Sequence, residues 1–257
     1  MNTPSDQYLK DLAETLRNRE RLAANPNLIE WYRQLYAHQF ADAADLEKKV
    51  VLEIGSGISP LKKFHPNVLT SDVLKLDHLD LVFDCHQIDR VADIRDESVD
   101  IITLTNVMHH LKDPIDFLTR ATRKLKPGGK IVATEPYFSI VSSPVYKHVH
   151  HEPVVFELEQ PVLGEVTGPL ASANIALPHL IFFSSKNWQQ RLREHYTWSD
   201  ADVRYFTSLS YMVTGGISRR LPLPRLLYGW YFRADLALSQ LFPRVFASFF
   251  TISLTRI

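Results

Sequence analysis

The chain has 257 residues, of which 45% are hydrophobic and 23% are charged, so it can form one large α/β domain or one domain with an insertion. Its formal net charge is zero, and we expect no nucleic-acid partner. The single cysteine, Cys85, excludes an internal disulfide and favours a reducing compartment. We expect no secretory signal, because the first residues lack a basic start followed by an apolar run, and we expect no membrane-spanning helix.

Residues 1–45 are predicted to form an N-terminal helical segment. Hydrophobic residues recur there at helical spacing in two stretches, which Asn25-Pro26 separates. They are Tyr8, Leu9, Leu12 and Leu16 in the first stretch and Leu28, Trp31, Tyr32, Leu35 and Tyr36 in the second.

A glycine-rich loop follows the first predicted strand, residues 50–54. The loop is Gly55-Ser56-Gly57, and Ser59-Pro60 behind it is typical of a helix start. Glycine lets a ligand approach the main chain closely. A dinucleotide site would need a third glycine where Pro60 stands, and an ATP-type loop would need a Gly-Lys-Ser/Thr ending, which is absent. The loop therefore favours a ligand without phosphate.

Strands and helices alternate behind this loop. The predicted strands cover residues 67–72, 79–85, 99–106, 130–136, 202–209 and 246–254, and the predicted helices cover residues 115–125, 185–195 and 225–241. This alternation implies a parallel sheet with helices on both faces, and ligands bind at the carboxyl ends of such strands. Three of these ends carry Asp72, Asp84 and Asn106. Because only about 12 residues separate Gly55 from the second strand, we expect a short first helix.

The order of these motifs resembles the class I S-adenosylmethionine (SAM) dependent methyltransferases, in particular the family related to ubiquinone-biosynthesis enzymes. The resemblance covers about residues 45–137. Its motifs are the glycine loop, Asp72, the sequence D-x-x-x-x-x-N-V-x-H-H-L at residues 100–111, the sequence L-K-P-G-G at residues 125–129, and Glu135-Pro136.

The resemblance implies an α/β fold with a Rossmann-like, doubly wound and mostly parallel sheet of seven strands, whose last strand is antiparallel. Residues 246–254 are the candidate for that last strand. The methyltransferase domain is then expected over residues 46–257, with N-terminal helices in front of it. Its parts are a cofactor half at residues 46–136 and a substrate half at residues 137–257, with a helical insertion at about residues 210–243 before the last strand.

The resemblance also implies SAM as the cofactor. The expected contacts are Glu53, Gly55, Ser56 and Gly57 at the methionine end, Asp72 at the ribose hydroxyls, Asp84 and the Cys85 backbone at the adenine, and Asn106 and Val107 beneath the sulfonium. For both aspartates a turn-forming or capping role is the alternative.

A histidine cluster follows the fifth strand, where a substrate-facing loop should lie. A hydroxyl acceptor benefits from a base, and histidine is the usual one. His150, or His151 paired with Glu152, could take the proton, and His109 and His110 are rivals at the end of the fourth strand. We expect no metal, because the spacing of the loop histidines lacks the i, i+4 pairing of a known zinc motif and no cysteine supports one.

The methyl acceptor is predicted from a second, weaker resemblance. The sequence Y-K-x-x-H-H-E-P at residues 146–153, together with N-x-A-L-P-x-L-I-F-F at residues 174–183, is similar to methyltransferases associated with bacterial surface-polysaccharide assembly. This implies a hydroxyl of a saccharide or a lipid-linked glycan. The alternatives are a quinone, a polyketide or another small molecule, and a non-catalytic protein of the same fold that binds a partner.

The C-terminal part of the chain is basic and aromatic. Residues 1–185 hold 19 Lys and Arg against 25 Asp and Glu, whereas residues 186–257 hold 10 against 4. In the stretch from Arg219 to Arg244, arginines alternate with aromatic residues such as Trp230, which favours contact with an anionic membrane or ligand. The alternative is a core helix with solvated arginines. We therefore expect a cytoplasmic protein that can contact the inner membrane face peripherally.

Overall fold

A mixed sheet of eight strands lies at the centre of the computed structural model, which describes residues 6–217 and 223–257. The strands are β1 (Val51–Ile54), β2 (Leu69–Asp72), β3 (Leu81–Val82), β4 (Val99–Thr105), β5 (Leu125–Pro136), β6 (Tyr196–Thr197), β7 (Val203–Phe206) and β8 (Phe249–Arg256). Strands β1 to β5 pair in parallel, and β8 is antiparallel to β5. The predicted, mostly parallel sheet with an antiparallel last strand is confirmed.

The eight strands occupy seven positions in the order β3-β2-β1-β4-β5-β8-β6. Strand β5 covers one edge of β8 over nearly its whole length. On the other edge, β6 pairs with the end of β8 at Arg256, and β7 pairs with its beginning at Phe249. The two short strands therefore share the seventh position, which the sequence pattern had represented by β7 alone.

Ten helices of the described residues surround the sheet. They are α1 (Asp6–Ala23), α2 (Pro26–Gln39), α3 (Leu61–Phe64), α4 (Pro114–Ala121), α5 (Ser142–His148), α6 (Ala176–His179), α7 (Lys186–Arg193), α8 (Ser210–Val213), α9 (Arg225–Leu241) and α10 (Pro243–Phe246). Short 3-10 turns lie at Leu46–Lys48, Cys85–Arg90, Met108–His110 and Asp200–Asp202, and a π turn at Leu180–Ser184 continues α6.

Two hydrophobic cores lie on opposite faces of the sheet, because neighbouring residues of a strand point to opposite sides. On β1, Leu52 faces the core that also contains Phe117 of α4 and Leu192 of α7. Val51 faces the core that contains Trp31 of α2 and Phe232 of α9. All four residues of β1 are buried, as expected for a central strand covered on both faces.

Several predicted boundaries shift for local reasons. Helix α4 begins at Pro114 because the carboxylate of Asp113 accepts the backbone N–H of Asp116 (2.9 Å). The last strand begins three residues later than predicted, since the chain forms α10 first. The expected short helix after the glycine loop is confirmed as α3, which begins at Leu61, directly after Pro60.

The N-terminal helices are present, but α1 does not bury the predicted hydrophobic stripe. Leu9 and Leu16 are exposed, whereas the polar residues Asp11 and Thr15 are buried. Helix α1 therefore turns a polar face toward the rest of the protein.

The described helices include none with the length and apolar composition that crossing a membrane requires. Two arginines of the predicted basic segment, Arg219 and Arg220, lie outside the described residues.

Candidate active site

The glycine loop lies between the end of β1 and the turn that follows β4. Gly55 has a φ of +76°, and a Cβ atom there would stand 2.4 Å from Cγ2 of Val107. Both the backbone angle and the close approach therefore require glycine at this position. The loop is tied to β2 because the backbone N–H of Ser56 donates to the carbonyl oxygen of Ser71 (2.9 Å).

Asp72 ends β2 directly beside this loop. Its carboxylate accepts the backbone N–H groups of Gly57 (2.9 Å) and Leu74 (2.9 Å). Burial raises the pKa of Asp72, and these hydrogen bonds oppose the rise. The carboxylate is thus fixed in position at the carboxyl edge of the sheet, next to Gly57.

Glu53 is buried near the end of β1, beneath the loop. Its carboxylate accepts hydrogen bonds from the hydroxyls of Ser56 (2.7 Å) and Ser59. Burial raises the pKa of Glu53 to about 7, and the two hydroxyls hold it down. The positive charge of Arg19 on α1 also favours the ionised form. Glu53 thus orders the loop through two serines.

Asp84 and Cys85 lie at the end of β3, one strand beyond Asp72. The Asp84 carboxylate accepts the backbone N–H of His86 (3.0 Å) and lies 2.8 Å from Nδ1 of the same histidine. It therefore caps the 3-10 turn Cys85–Arg90. Cys85 is buried, and burial raises the pKa of its thiol.

Asn106 and Val107 follow β4. Asn106 has a φ of +55°, and its backbone N–H donates to the carbonyl oxygen of Thr134 (2.9 Å). Its side-chain Oδ1 is buried and has no hydrogen-bond partner among the described residues. A buried acceptor without a donor is costly unless a ligand supplies the donor. This orphaned atom, beside the tight glycine loop, fits a bound ligand that carries N–H or O–H groups.

Helix α1 covers this edge of the sheet. Cγ2 of Thr15 would stand 3.0 Å from a Cβ at Gly57. The Tyr8 hydroxyl accepts the backbone N–H of Lys75 (2.8 Å), and Nη1 of Arg19 lies 2.8 Å from Nε2 of His78. The polar face of α1 is therefore the cover of the glycine loop, a role that its sequence pattern did not indicate.

A histidine–glutamate cluster, formed by His109, His110, Glu135 and Glu152, lies where β4 and β5 end. Nδ1 of His109 donates to the Glu135 carboxylate (2.6 Å), and Nδ1 of His110 donates to the carbonyl oxygen of Ser172 (3.0 Å). Both Nε2 atoms then face Glu152, at 3.4 Å from His109 and 3.5 Å from His110. The other Glu135 oxygen accepts the backbone N–H groups of the 3-10 turn that carries the histidines.

The two histidines of the cluster are held in different protonation states. Burial lowers the pKa of His109, but the charges and hydrogen bonds of Glu135 and Glu152 outweigh this effect and raise it to about 10. Burial and the positive charge of His109 lower the pKa of His110 to about 4. Burial raises the pKa of Glu152, but the neighbouring histidines lower it to about 2. At neutral pH, His110 is therefore neutral beside an ionised Glu152.

His150 and His151 lie at the rim of the cluster. Nδ1 of His150 accepts the backbone N–H of Glu152 (3.3 Å), and the exposed His151 stacks on His150 at a ring distance of 4.8 Å. The structure thus brings Glu152 together with His109 and His110, the two rival candidates at the end of β4. Glu135 was missed as part of the site, although its place at the end of β5, beside the end of β4, was a usable signal.

Two groups of the described residues combine ligand types that metals use. They are Asp84, Cys85 and His86 at the end of β3, and His109, His110 and Glu152 in the cluster. The second group is the more enclosed, and its histidines are oriented through their Nδ1 atoms, as metal-binding histidines often are.

These features define a class of protein. A doubly wound sheet in which a glycine loop lies beside an acid at the end of the second strand is the arrangement of nucleotide-binding α/β proteins, among them the SAM-dependent methyltransferases. The sequence matches the family described as methyltransferase domain over residues 28–195, which is more than half of the chain. The chain belongs to this methyltransferase family and is a class I enzyme with SAM as its cofactor. No curated protein matches the sequence significantly.

Several solved structures have similar folds. The N-methyltransferase NodS of Bradyrhizobium japonicum, solved with S-adenosylhomocysteine, is 14% identical with a TM-score of 0.49, and the alignment covers 98% of this chain and 99% of NodS. A SAM-dependent methyltransferase of Archaeoglobus fulgidus is 15% identical with a TM-score of 0.47, covering 87% of this chain and 94% of that protein.

Proposed function

We propose that this enzyme methylates a hydroxyl group of a saccharide or of a lipid-linked glycan. The observation that carries the proposal is the pair of facing acceptors in the histidine–glutamate cluster. Nδ1–H of His110 donates to the carbonyl oxygen of Ser172, so Nε2 of the neutral ring carries a lone pair. Nε2 lies 3.5 Å from the Glu152 carboxylate. Two neighbouring acceptors favour a ligand that brings a donor, and an alcohol can donate its one O–H proton to Nε2 of His110.

The residues at the carboxyl edge of the sheet would hold SAM. Asp72 would accept the ribose hydroxyls, and the glycine loop with Glu53 beneath it would line the methionine end. The buried Oδ1 of Asn106 would accept an N–H group of the same ligand, with Val107 beneath the sulfonium. Asp84 and the Cys85 backbone would meet the adenine. When bound, SAM supplies a methyl group on a positively charged sulfur.

The chain would contribute alignment and a proton acceptor to the reaction. Proximity and orientation supply much of the acceleration of a displacement between two bound reactants. The acceptor hydroxyl would donate to Nε2 of His110, and Glu152 would stabilise the imidazolium that forms. His109 and Glu135 would hold Glu152 and the turn in place. His150 and His151 stay candidates for the same proton, since they flank Glu152 at the rim.

Substitution of the cluster tests this assignment. His110→Ala should lower methyl transfer by roughly 10²–10⁴ while the affinity for SAM is retained. His195→Ala is the matched control, since that histidine lies beside Ile257 at the opposite edge of the sheet, and its activity should stay close to wild type. The reverse result, with an active His110→Ala and an inactive His151→Ala or His150→Ala variant, would move the base to the loop.

The acceptor class needs its own experiment. Methyl-labelled SAM incubated with the enzyme and with separated cell fractions should give label in polysaccharide or in lipid-linked glycan. Label in a quinone, a polyketide or another small molecule would favour those alternatives. A lipid-linked acceptor lies in the membrane interface, so this proposal places the protein in the cytoplasm with peripheral contact at the inner membrane face.

A further inference from the structure

Helix α9 exposes a continuous apolar stripe. Among the described residues, six of the seven most exposed large hydrophobic side chains lie on α9, just behind it, or in the loop beside α10. The most exposed are Leu226 (86%), Trp230 (75%), Ile140 (71%) and Leu241 (71%). Soluble surfaces seldom collect large apolar groups in this way, and such a patch marks an interaction site.

The stripe follows the helical repeat. Leu226, Trp230, Ala234, Ala237 and Leu241 are spaced three or four residues apart and therefore share one face of α9. The opposite face is the buried one and carries Tyr228, Phe232, Asp235 and Ser239. The helix is thus anchored on one side by the core while its other apolar side stays uncovered within the described part of the chain.

The charges on this surface are positive. Arg233 on α9 and Arg244 on α10 take part in none of the ion pairs of the described residues. Arg225 forms no close ion pair among them either, but its charge helps Arg33 to lower the pKa of Glu30. The one acid of α9, Asp235, is buried, and its carboxylate accepts the backbone N–H groups of Ser208 (2.9 Å) and Ser210 (3.0 Å). An apolar stripe flanked by arginines matches the interface of an anionic bilayer.

The exposed apolar surface continues from α9 and α10 to the loop that follows β5 in the sequence. The backbone N–H of Ile140 donates to the carbonyl oxygen of Arg244 (3.1 Å), and that of Val141 donates to Val245 (3.0 Å). This loop leads from Glu135, at the end of β5, into α5 and then to Glu152. The exposed Ile140 therefore connects the apolar stripe with the segment that carries the histidine–glutamate cluster.

We propose that α9, α10 and Ile140 form a membrane-docking surface that lays the enzyme on an anionic lipid bilayer. The apolar stripe enters the interface, and Arg225, Arg233 and Arg244 contact lipid phosphates. This proposal deepens the proposed function, because an acceptor linked to a lipid would then reach the cluster from the membrane side. Docking itself requires no methyl transfer, so an experiment can contradict the docking proposal and the proposed function separately.

Trp230 provides a direct readout. All four tryptophans lie within the described residues; Trp31 and Trp188 are buried, Trp198 is half-buried under Arg193, and Trp230 is exposed. Vesicles of phosphatidylcholine with phosphatidylglycerol should shift tryptophan emission to shorter wavelength and sediment the protein. Trp230→Phe should retain sedimentation and lose the shift.

Matched variants separate the apolar contribution to vesicle binding from the electrostatic one. Trp230→Ser with Leu241→Ser should lower the partition coefficient by about a hundredfold. Arg233→Gln should lower it about fivefold, and added salt should remove this difference. Ile257→Ser and Arg90→Gln are the controls, since both side chains are exposed but belong to neither α9, α10 nor the loop of Ile140. Both variants should bind vesicles like the wild-type protein.

Three outcomes would overturn the proposal. One is the absence of vesicle binding by the wild-type protein at low salt. Another is equal loss of binding in the Ile257→Ser control. The third is light scattering that shows a dimer in solution which the Trp230→Ser with Leu241→Ser variant dissociates, because the stripe would then belong to a second copy of the chain. Failure of methyl transfer to both soluble saccharides and lipid-linked glycans, with vesicle binding intact, would instead contradict the proposed function.

Discussion

The contact between Gly55 and Val107 joins the glycine loop to the end of β4, and Gly55→Ala tests it. The substitution has two costs. A φ of +76° is unfavourable for alanine, by about 1–2 kcal/mol. The new Cβ would also lie 2.4 Å from Cγ2 of Val107, and relief of such overpacking costs about 1–3 kcal/mol. The free energy of unfolding should therefore fall by about 2–5 kcal/mol.

Gly128→Ala isolates the backbone cost. Gly128 has a φ of +72°, and a Cβ there would meet nothing within 4 Å. This variant should lose only about 1–2 kcal/mol, so the difference between the two variants measures the clash. Gly55→Ala combined with Val107→Ala should recover most of that difference in a double-mutant cycle.

Urea unfolding of these variants is the assay, with calorimetric titration of SAM beside it. Gly55→Ala should also weaken SAM binding, because Val107 has to move. Equal destabilisation by Gly55→Ala and Gly128→Ala would refute the close approach, and with it the packing of the loop on the end of β4.

Three further predictions follow from the site and the core. Asp72→Ala should weaken SAM binding by about 1.5–3 kcal/mol for each lost charge-assisted hydrogen bond. Gly57→Val should also weaken SAM binding, because the larger side chain fills the space beside Asp72. Wild-type affinity of both variants in calorimetry would contradict the cofactor assignment. Prolonged dialysis against EDTA should leave methyl transfer unchanged, whereas a loss that zinc or magnesium restores would make His109, His110 and Glu152 a metal site. Burial lowers the pKa of His179 to about 4 in the folded protein, whereas the unfolded chain has a histidine pKa of about 6.5. As the pH falls below about 6.5, the unfolded chain therefore takes up a proton on His179 that the folded protein does not, and the free energy of unfolding decreases until about pH 4. From pH 7 to pH 5 this loss should be about 2 kcal/mol in urea unfolding, and His179→Phe, which fits the surrounding aromatic rings, should show a smaller loss.

The parts of the fold that local signals encode could be predicted from the sequence. The glycine loop, the acids at strand ends and the helix over 225–241 each depend on neighbouring residues, and the observed helix α9 has those same bounds. Strand β6 has only two residues, Tyr196 and Thr197, and no pattern of that length indicates a strand.

The sequence indicates which strand ends lie close together, but the side-chain contacts of the site depend on long-range pairing and could not be predicted. His109 and Glu135 are far apart in sequence, and they meet only because Thr105 of β4 pairs with Thr134 of β5. The inward polar face of α1 was equally hidden, since its buried Asp11 accepts the backbone N–H of the distant Leu170 (3.1 Å) in addition to the side chain of Gln7. The exposed stripe of α9 could not be separated from a buried one, because both faces of this helix are apolar.

The division of the domain into a cofactor half and a substrate half stays a prediction. So do the roles of Asp84 and Cys85 at the adenine, since the Asp84 carboxylate already caps the turn behind β3.

The most direct test of the account is transfer of labelled methyl from SAM to a saccharide fraction by the wild-type enzyme, by His110→Ala and by Asp72→Ala. We predict label in the saccharide or lipid-linked glycan with wild type, strongly reduced label with His110→Ala despite normal SAM binding, and little label with Asp72→Ala because SAM is not held. Full labelling by His110→Ala, or label that enters no hydroxyl of a saccharide with any of the three proteins, would contradict the proposed reaction at this site.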